Sequence, residues 1–151
     1  MTRTLRSNLN RKRPSINDSR ILLVEDSEGI RLLISEILSE AGYGVTAVSD
    51  GDAALLAIRR QTPEVVITDL HMPGRPVFEV IRVLREDYPR VRIVILSGLM
   101  DELMSEAIMA SGVDAAIDKG MAPEILVDTV KRLMSAESSP AVAHPSLAVA
   151  R

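Results

Sequence analysis

Five short runs of consecutive apolar residues, separated by stretches in which apolar positions recur every three or four residues, set the rhythm of this chain. An apolar run bounded by turn residues reads as a strand buried on both faces, and the three-to-four spacing reads as a helix with one buried stripe. The strands expected are Arg20–Val24, Val45–Val48, Val65–Asp69, Arg92–Leu96 and Ala115–Ile117. Between them lie four helices. The first, with Ser27 as its cap, places Ile30, Leu33, Ile34, Ile37 and Leu38 on a sheet-facing side and stops at Gly42. The next runs from Ala53 to Arg60 with Leu55, Leu56 and Ile58, after the turn Asp50-Gly51. A third, Val77–Glu86, carries Val77, Val80, Ile81 and Leu84, and a fourth, Asp101–Ala110, ends before Gly112. A fifth helix follows the last strand, opening at Pro123 and carrying Ile125, Leu126, Val130 and Leu133.

Strict alternation of strand and helix predicts an α/β protein, because parallel strands need crossover helices and those crossovers are right-handed. The expected architecture is a flavodoxin-like (βα)5 doubly wound parallel sheet in the strand order 2-1-3-4-5. With 151 residues and 46% hydrophobic content, one domain with a sizeable core fits the chain. The expected division is a basic arm over 1–18, the domain over 19–136, and an Ala/Ser/Pro tail over 137–151.

Composition narrows the function. Only Phe78, Tyr43 and Tyr88 are aromatic, so the core is aliphatic and no base-stacking platform is available. Without cysteine there is neither a disulfide framework nor a thiolate metal site. No signal-peptide pattern or membrane-length apolar run is present, and a cytoplasmic location is expected. The overall charge of -3 hides an asymmetry: Arg3, Arg6, Arg11, Lys12, Arg13 and Arg20 oppose Asp18 alone, a net +5 that leaves -8 for the remainder. The arm reads as a solvated leader, too short for a helix-turn-helix or winged module, so no specific DNA binding is expected.

Chemistry gathers where the strands end. In the order 2-1-3-4-5, strands 1 and 3 are neighbours at the switch point, where ligands bind outside the carboxyl ends. Glu25 and Asp26 follow strand 1, Asp69 closes strand 3, Ser97 follows strand 4, and Lys119 lies just beyond strand 5. Clustered carboxylates repel, and a hard cation with oxygen ligands relieves that cost. Mg2+ is expected, with Asp26 and Asp69 as direct ligands and Glu25 acting through water. A carboxylate beside such an ion is a nucleophile toward phosphorus. Lys119, the Ser97 hydroxyl and backbone N–H groups near Leu70 and Gly98 are expected to balance the charge on the transferring group.

Four fragments in order, Ile21-Leu22-Leu23-Val24-Glu25-Asp26, Ile67-Thr68-Asp69-Leu70-His71-Met72-Pro73, Ile95-Leu96-Ser97-Gly98 and Asp118-Lys119, resemble the receiver domain of bacterial two-component response regulators. The resemblance implies phosphorylation of Asp69 by a histidine kinase or phosphotransfer protein, with Ser97 and Lys119 contacting the phosphoryl group. It implies Mg2+ held by Glu25, Asp26, Asp69 and the backbone carbonyl of His71. It also implies a stand-alone switch that catalyses only its own phosphoryl transfer and autodephosphorylation and acts on a downstream protein. The face made by the helix from Asp101, the fifth strand and the last helix is then the expected output face and the contact for a homodimer.

Three departures qualify the resemblance. Ala116 stands where the family usually carries an aromatic residue three positions before the lysine. Gly120 replaces the usual cis-proline, so a trans bond is expected there, a non-proline cis bond costing about 2.5 to 4 kcal/mol. The loop reads Gly74-Arg75-Pro76-Val77 in place of an acidic and glycine pattern. Two other readings compete: a degenerate receiver serving as a scaffold, and an Mg2+-dependent aspartate-nucleophile phosphatase. The phosphatase would place an acid two residues after its nucleophile, where His71 stands. The side chains of His71 and His144 are assigned no role, and Met100, Met104 and Met109 lie around a helix suited to core filling and partner contact.

Overall fold

The computed structural model describes residues 20–98, 102–120 and 122–135. Five strands, β1 (Arg20–Val24), β2 (Gly44–Val48), β3 (Val65–Asp69), β4 (Arg92–Ser97) and β5 (Ala115–Asp118), alternate with helices α1 (Glu28–Glu40), α2 (Gly51–Arg60), α3 (Val77–Asp87), α4 (Glu102–Ala110) and α5 (Pro123–Ser135). All pairings are parallel and the order is β2-β1-β3-β4-β5, as the alternation predicts. The basic arm, the C-terminal tail, Met100 and Asp101 lie outside the described residues. No helix among the described residues is long and apolar enough to cross a membrane.

Pleating divides the core in two. Leu22, Val24, Val66, Ile93, Ile95 and Ala116 face one side, where they meet Ala54, Leu55 and Ile58 of α2, the α3 stripe of Val77, Val80, Ile81 and Leu84, and Ile108 of α4. Ile21, Leu23, Val65, Ile67, Val94, Leu96, Ala115 and Ile117 face the other, against Ile34 and Leu38 of α1 and Leu126 and Val130 of α5. The central strands are therefore covered on both faces, which is why their sequences run apolar without alternation.

Helix boundaries and faces needed correction. Asp50 caps α2, its Oδ1 accepting from the Ala53 amide at 2.8 Å, so the helix begins at Gly51, two residues earlier than expected. Ser27 occupies the N-cap of α1 without a side-chain cap bond; its amide instead donates to Glu25 Oε1 at 3.2 Å. Leu33 is 57% exposed and Leu56 is 51% exposed, so neither packs on the sheet. Gly42 does end α1: at φ +97° it accompanies bonds from Gly42 N–H to the Ser39 carbonyl and from Tyr43 N–H to the Leu38 carbonyl, the paired closure that favours glycine. All described peptide bonds are trans, including that of Gly120.

A clamp closes the edge of the sheet opposite the acids. Asp114 accepts from Arg85 at 2.8 Å and from the Ile93 amide at 2.8 Å, with Arg92 at 3.4 Å. Arg85 also donates to the carbonyls of Gly112 and Val91, joining α3 to the segment that enters β5. Replacing Asp114 with alanine removes the carboxylate partner of the part-buried Arg85 guanidinium and leaves the Ile93 amide without its acceptor. An unfolding free-energy loss of about 2 kcal/mol is expected in urea titration, without change in the bond network at Asp69.

Candidate functional site

Register delivers the chemistry to one edge. Val24 pairs with Thr68, so the next residue, Glu25, arrives level with Asp69; Asp69 pairs with Leu96 and Leu96 with Ile117, so Lys119 follows two residues beyond that level at the same edge. The Glu25 amide donates to the Val48 carbonyl, and the Lys119 amide donates to the Ser97 carbonyl at 2.9 Å, which fixes both backbones.

The side chains converge. The Lys119 ammonium lies 2.7 Å from Asp69 Oδ2 and 2.8 Å from Glu25 Oε2. Glu25 is 1% exposed and Asp69 is 6% exposed, so this is an ion cluster with little water around its carboxylates. Burial by itself would lower the Lys119 pKa. The hydrogen bond to Asp69, the contact with Glu25 and the two negative charges outweigh it, and the ammonium is held above the ordinary lysine value. Asp69 Oδ1 is occupied separately by the His71 amide at 3.2 Å, so its two oxygens have different partners.

Asp26 stands at the exposed rim, and one carboxylate oxygen each from Glu25, Asp26 and Asp69 lie within 4.8 Å of one another. That oxygen set suits a hard cation. Glu25 Oε2 supports the same fit: it is buried, and beyond the Lys119 ammonium at 2.8 Å no group among the described residues donates to it. Glu25 is thus part of the lysine's ion pair as well as of the acid group, a double role the sequence did not suggest.

Other placements were mixed. Ser97 is fully buried at the end of β4. The His71 side chain is exposed, as anticipated from its neighbours. Of the backbone N–H groups near Leu70, that of His71 donates to Asp69, while the amide of Leu70 itself is directed to the Leu96 carbonyl at 3.3 Å. Sequence reasoning missed Arg31, whose guanidinium donates to the carbonyl of Glu25 at 2.8 Å and of Asp26 at 3.4 Å. A cation in the first turn of a helix opposes the dipole, and that anomaly was the available signal. Beside Asp26 an open groove runs between α4 and the segment after β3, lined by His71, Met72, Phe78, Met104 and Ala107 among others.

A five-stranded parallel sheet with a lysine clamping an acid cluster at its switch point is the arrangement that comparison with known proteins places in a family. The sequence pattern of the response regulator receiver domain matches residues 21–131, and the chain belongs to that family. It is 35% identical over 123 residues to the DNA-binding response regulator MtrA of Mycolicibacterium smegmatis, covering 81% of this chain and 54% of that protein. The chain thus spans about half the length of that curated relative. Among solved structures it resembles the chemotaxis response regulator CheY4 of Vibrio cholerae, with TM-score 0.71 and 30% identity over 76% of this chain and 98% of that one. A DNA-binding response regulator of the LuxR family from Staphylococcus aureus matches with TM-score 0.71 and 25% identity, covering 76% and 98%.

These relatives correct one expectation. The absence of specific DNA binding was inferred from a short basic arm, whereas MtrA and the Staphylococcus protein are DNA-binding response regulators. The match covers the receiver portion, whose residues carry no information about such binding, so the inference had no physical basis.

The ion cluster makes a stability prediction. Lys119→Met should lower the unfolding free energy by about 2 kcal/mol at neutral pH, because a buried carboxylate loses its counter-charge. The folded-state pKa is raised, so the lysine's contribution is complete below the ordinary lysine value and is lost as pH rises through the higher one. Denaturant titrations of both proteins should therefore show a constant gap from neutral to mildly alkaline pH that narrows only in strong alkali.

Proposed function

We propose that the protein is a phospho-acceptor response regulator of a two-component phosphorelay, working in the cytoplasm. The observation that carries this reading is the Lys119 ammonium 2.7 Å from Asp69 Oδ2 inside the Glu25, Asp26 and Asp69 group. An oxygen of Asp69 attacks the phosphorus of a phosphohistidine on a kinase or phosphotransfer protein. The new O–P bond forms as the P–N bond breaks, and the electron pair leaves on the imidazole nitrogen, which takes a proton from solvent. No general base is needed, since the ionised carboxylate already carries the attacking pair.

Glu25, Asp26, Asp69 and the backbone carbonyl of His71 would hold Mg2+. The ion supplies charge neutralisation for the phosphoryl oxygens. Lys119 moves from an ion pair with Asp69 to one with the transferred group, and the Ser97 hydroxyl donates to a phosphoryl oxygen. The protein transforms no separate substrate; it accepts its phosphoryl group and later releases it to water. New charge at Asp69 draws Ser97 and Lys119, which belong to β4 and the end of β5, and so alters the α4-β5-α5 face that binds a protein partner.

Acetyl phosphate with Mg2+ should add one phosphoryl mass to the intact protein, and Asp69→Asn should take up none. Repeated release of phosphate from phosphomonoesters would instead indicate a phosphatase. Asp26→Asn should weaken Mg2+ binding by about tenfold or more in calorimetric titration, since it removes one ligand of a shallow site.

A further inference from the structure

The segment from Leu70 to Pro76 carries the His71 amide that holds Asp69, and its far half is fastened to a neighbouring helix. Arg75 Nε lies 2.8 Å from Asp52 Oδ1, and its other arm lies 3.2 Å from Glu79 Oε2. Beneath it, Gly51 at the start of α2 comes so near that a Cβ there would stand 2.9 Å from the Arg75 carbonyl oxygen and 3.1 Å from the Arg75 Cβ. A side chain at position 51 therefore displaces the backbone of Arg75. Gly51 cannot easily yield, because the first turn of α2 is pinned by the Asp50 cap. Gly74, at φ +82°, makes the turn that brings Arg75 back onto α2.

Three residues, Met72, Pro73 and Gly74, separate the two anchor points. At one, the His71 amide donates to Asp69 Oδ1 at 3.2 Å; at the other, Arg75 rests on Gly51. Thr68 adds a tether between them, its hydroxyl 3.7 Å from the Met72 sulfur. We propose that Arg75, seated on Gly51 and paired with Asp52, is a positioning residue for phosphoryl acceptance: it sets the course of the loop whose His71 amide orients the Asp69 carboxylate. The inference rests on Asp69 as the acceptor. Because Arg75 and Asp52 are both substantially exposed, their ion pair is the weaker part of the device and the steric seat at Gly51 the stronger.

The test compares three variants of the full chain. Gly51→Ala is expected to shift the His71 amide resonance and to slow phosphorylation at saturating acetyl phosphate and Mg2+ by about tenfold, with the half-saturating donor concentration unchanged. Arg75→Ala, a surface change that leaves the core intact, should do the same to a smaller extent, about threefold. Arg85→Ala loosens the clamp at the opposite edge; it should lower the melting temperature without moving the His71 resonance or the rate. The proposal is overturned if Arg75→Ala and any folded Gly51→Ala keep the wild-type resonance and a rate within twofold, or if Arg85→Ala slows the reaction equally. Should the wild-type protein take up no phosphoryl group, the acceptor reading falls, and the His71 resonance alone decides whether the seat reaches Asp69.

Discussion

One ammonium between two buried carboxylates is the interaction on which this structure depends. Glu25 and Asp69 come from the ends of neighbouring strands, and each is almost wholly withdrawn from water. Two such anions side by side are tolerable only with a cation between them. Lys119 supplies it from β5, across the intervening strand β4. With Asp26 at the rim, three carboxylates face one lysine, and the charge left over is about that of a divalent cation. The cluster is therefore incomplete in charge, and a divalent cation would offset what remains.

The sheet makes that cluster possible by register. Parallel pairing brings the carboxyl ends of β1, β3, β4 and β5 to one edge, and a slip of one residue in any of them would move its functional group to the other face. The opposite edge is held by Asp114, Arg85 and Arg92, so the two ends of the sheet are secured by separate ion networks. Ala116 lies buried in the cluster that also contains Leu70, Val77 and Ile108, where an aromatic side chain would be the family's usual occupant. Met72 and Met104 are partly buried and pack against the same cluster.

Much of this was legible in the sequence because strands and site share one signal. Runs such as Val65-Val66-Ile67 read as doubly covered strands, and the polar residues that end them fall at the active edge by topology alone. The faces of helices were less legible. Leu33 and Leu56 fit the helical period and yet face solvent, since periodicity fixes the spacing of a stripe but not which flank the sheet covers. The tertiary contacts of Arg31 and Arg75 were out of reach for another reason. An arginine's partners lie at the end of a long side chain, here backbone carbonyls of the acid pair and a carboxylate on a different helix. Ser27 shows the same limit in reverse: its residue type suits a cap, but its amide is taken by Glu25.

The most direct test is a crystal structure of the protein with Mg2+ and beryllofluoride, a mimic of the phosphoryl group. The account predicts the fluoride adduct on Asp69, the metal among Glu25, Asp26 and Asp69, and the Lys119 ammonium turned onto a fluorine. An adduct on any other residue, or a Lys119 side chain directed away from the adduct into solvent, would contradict it.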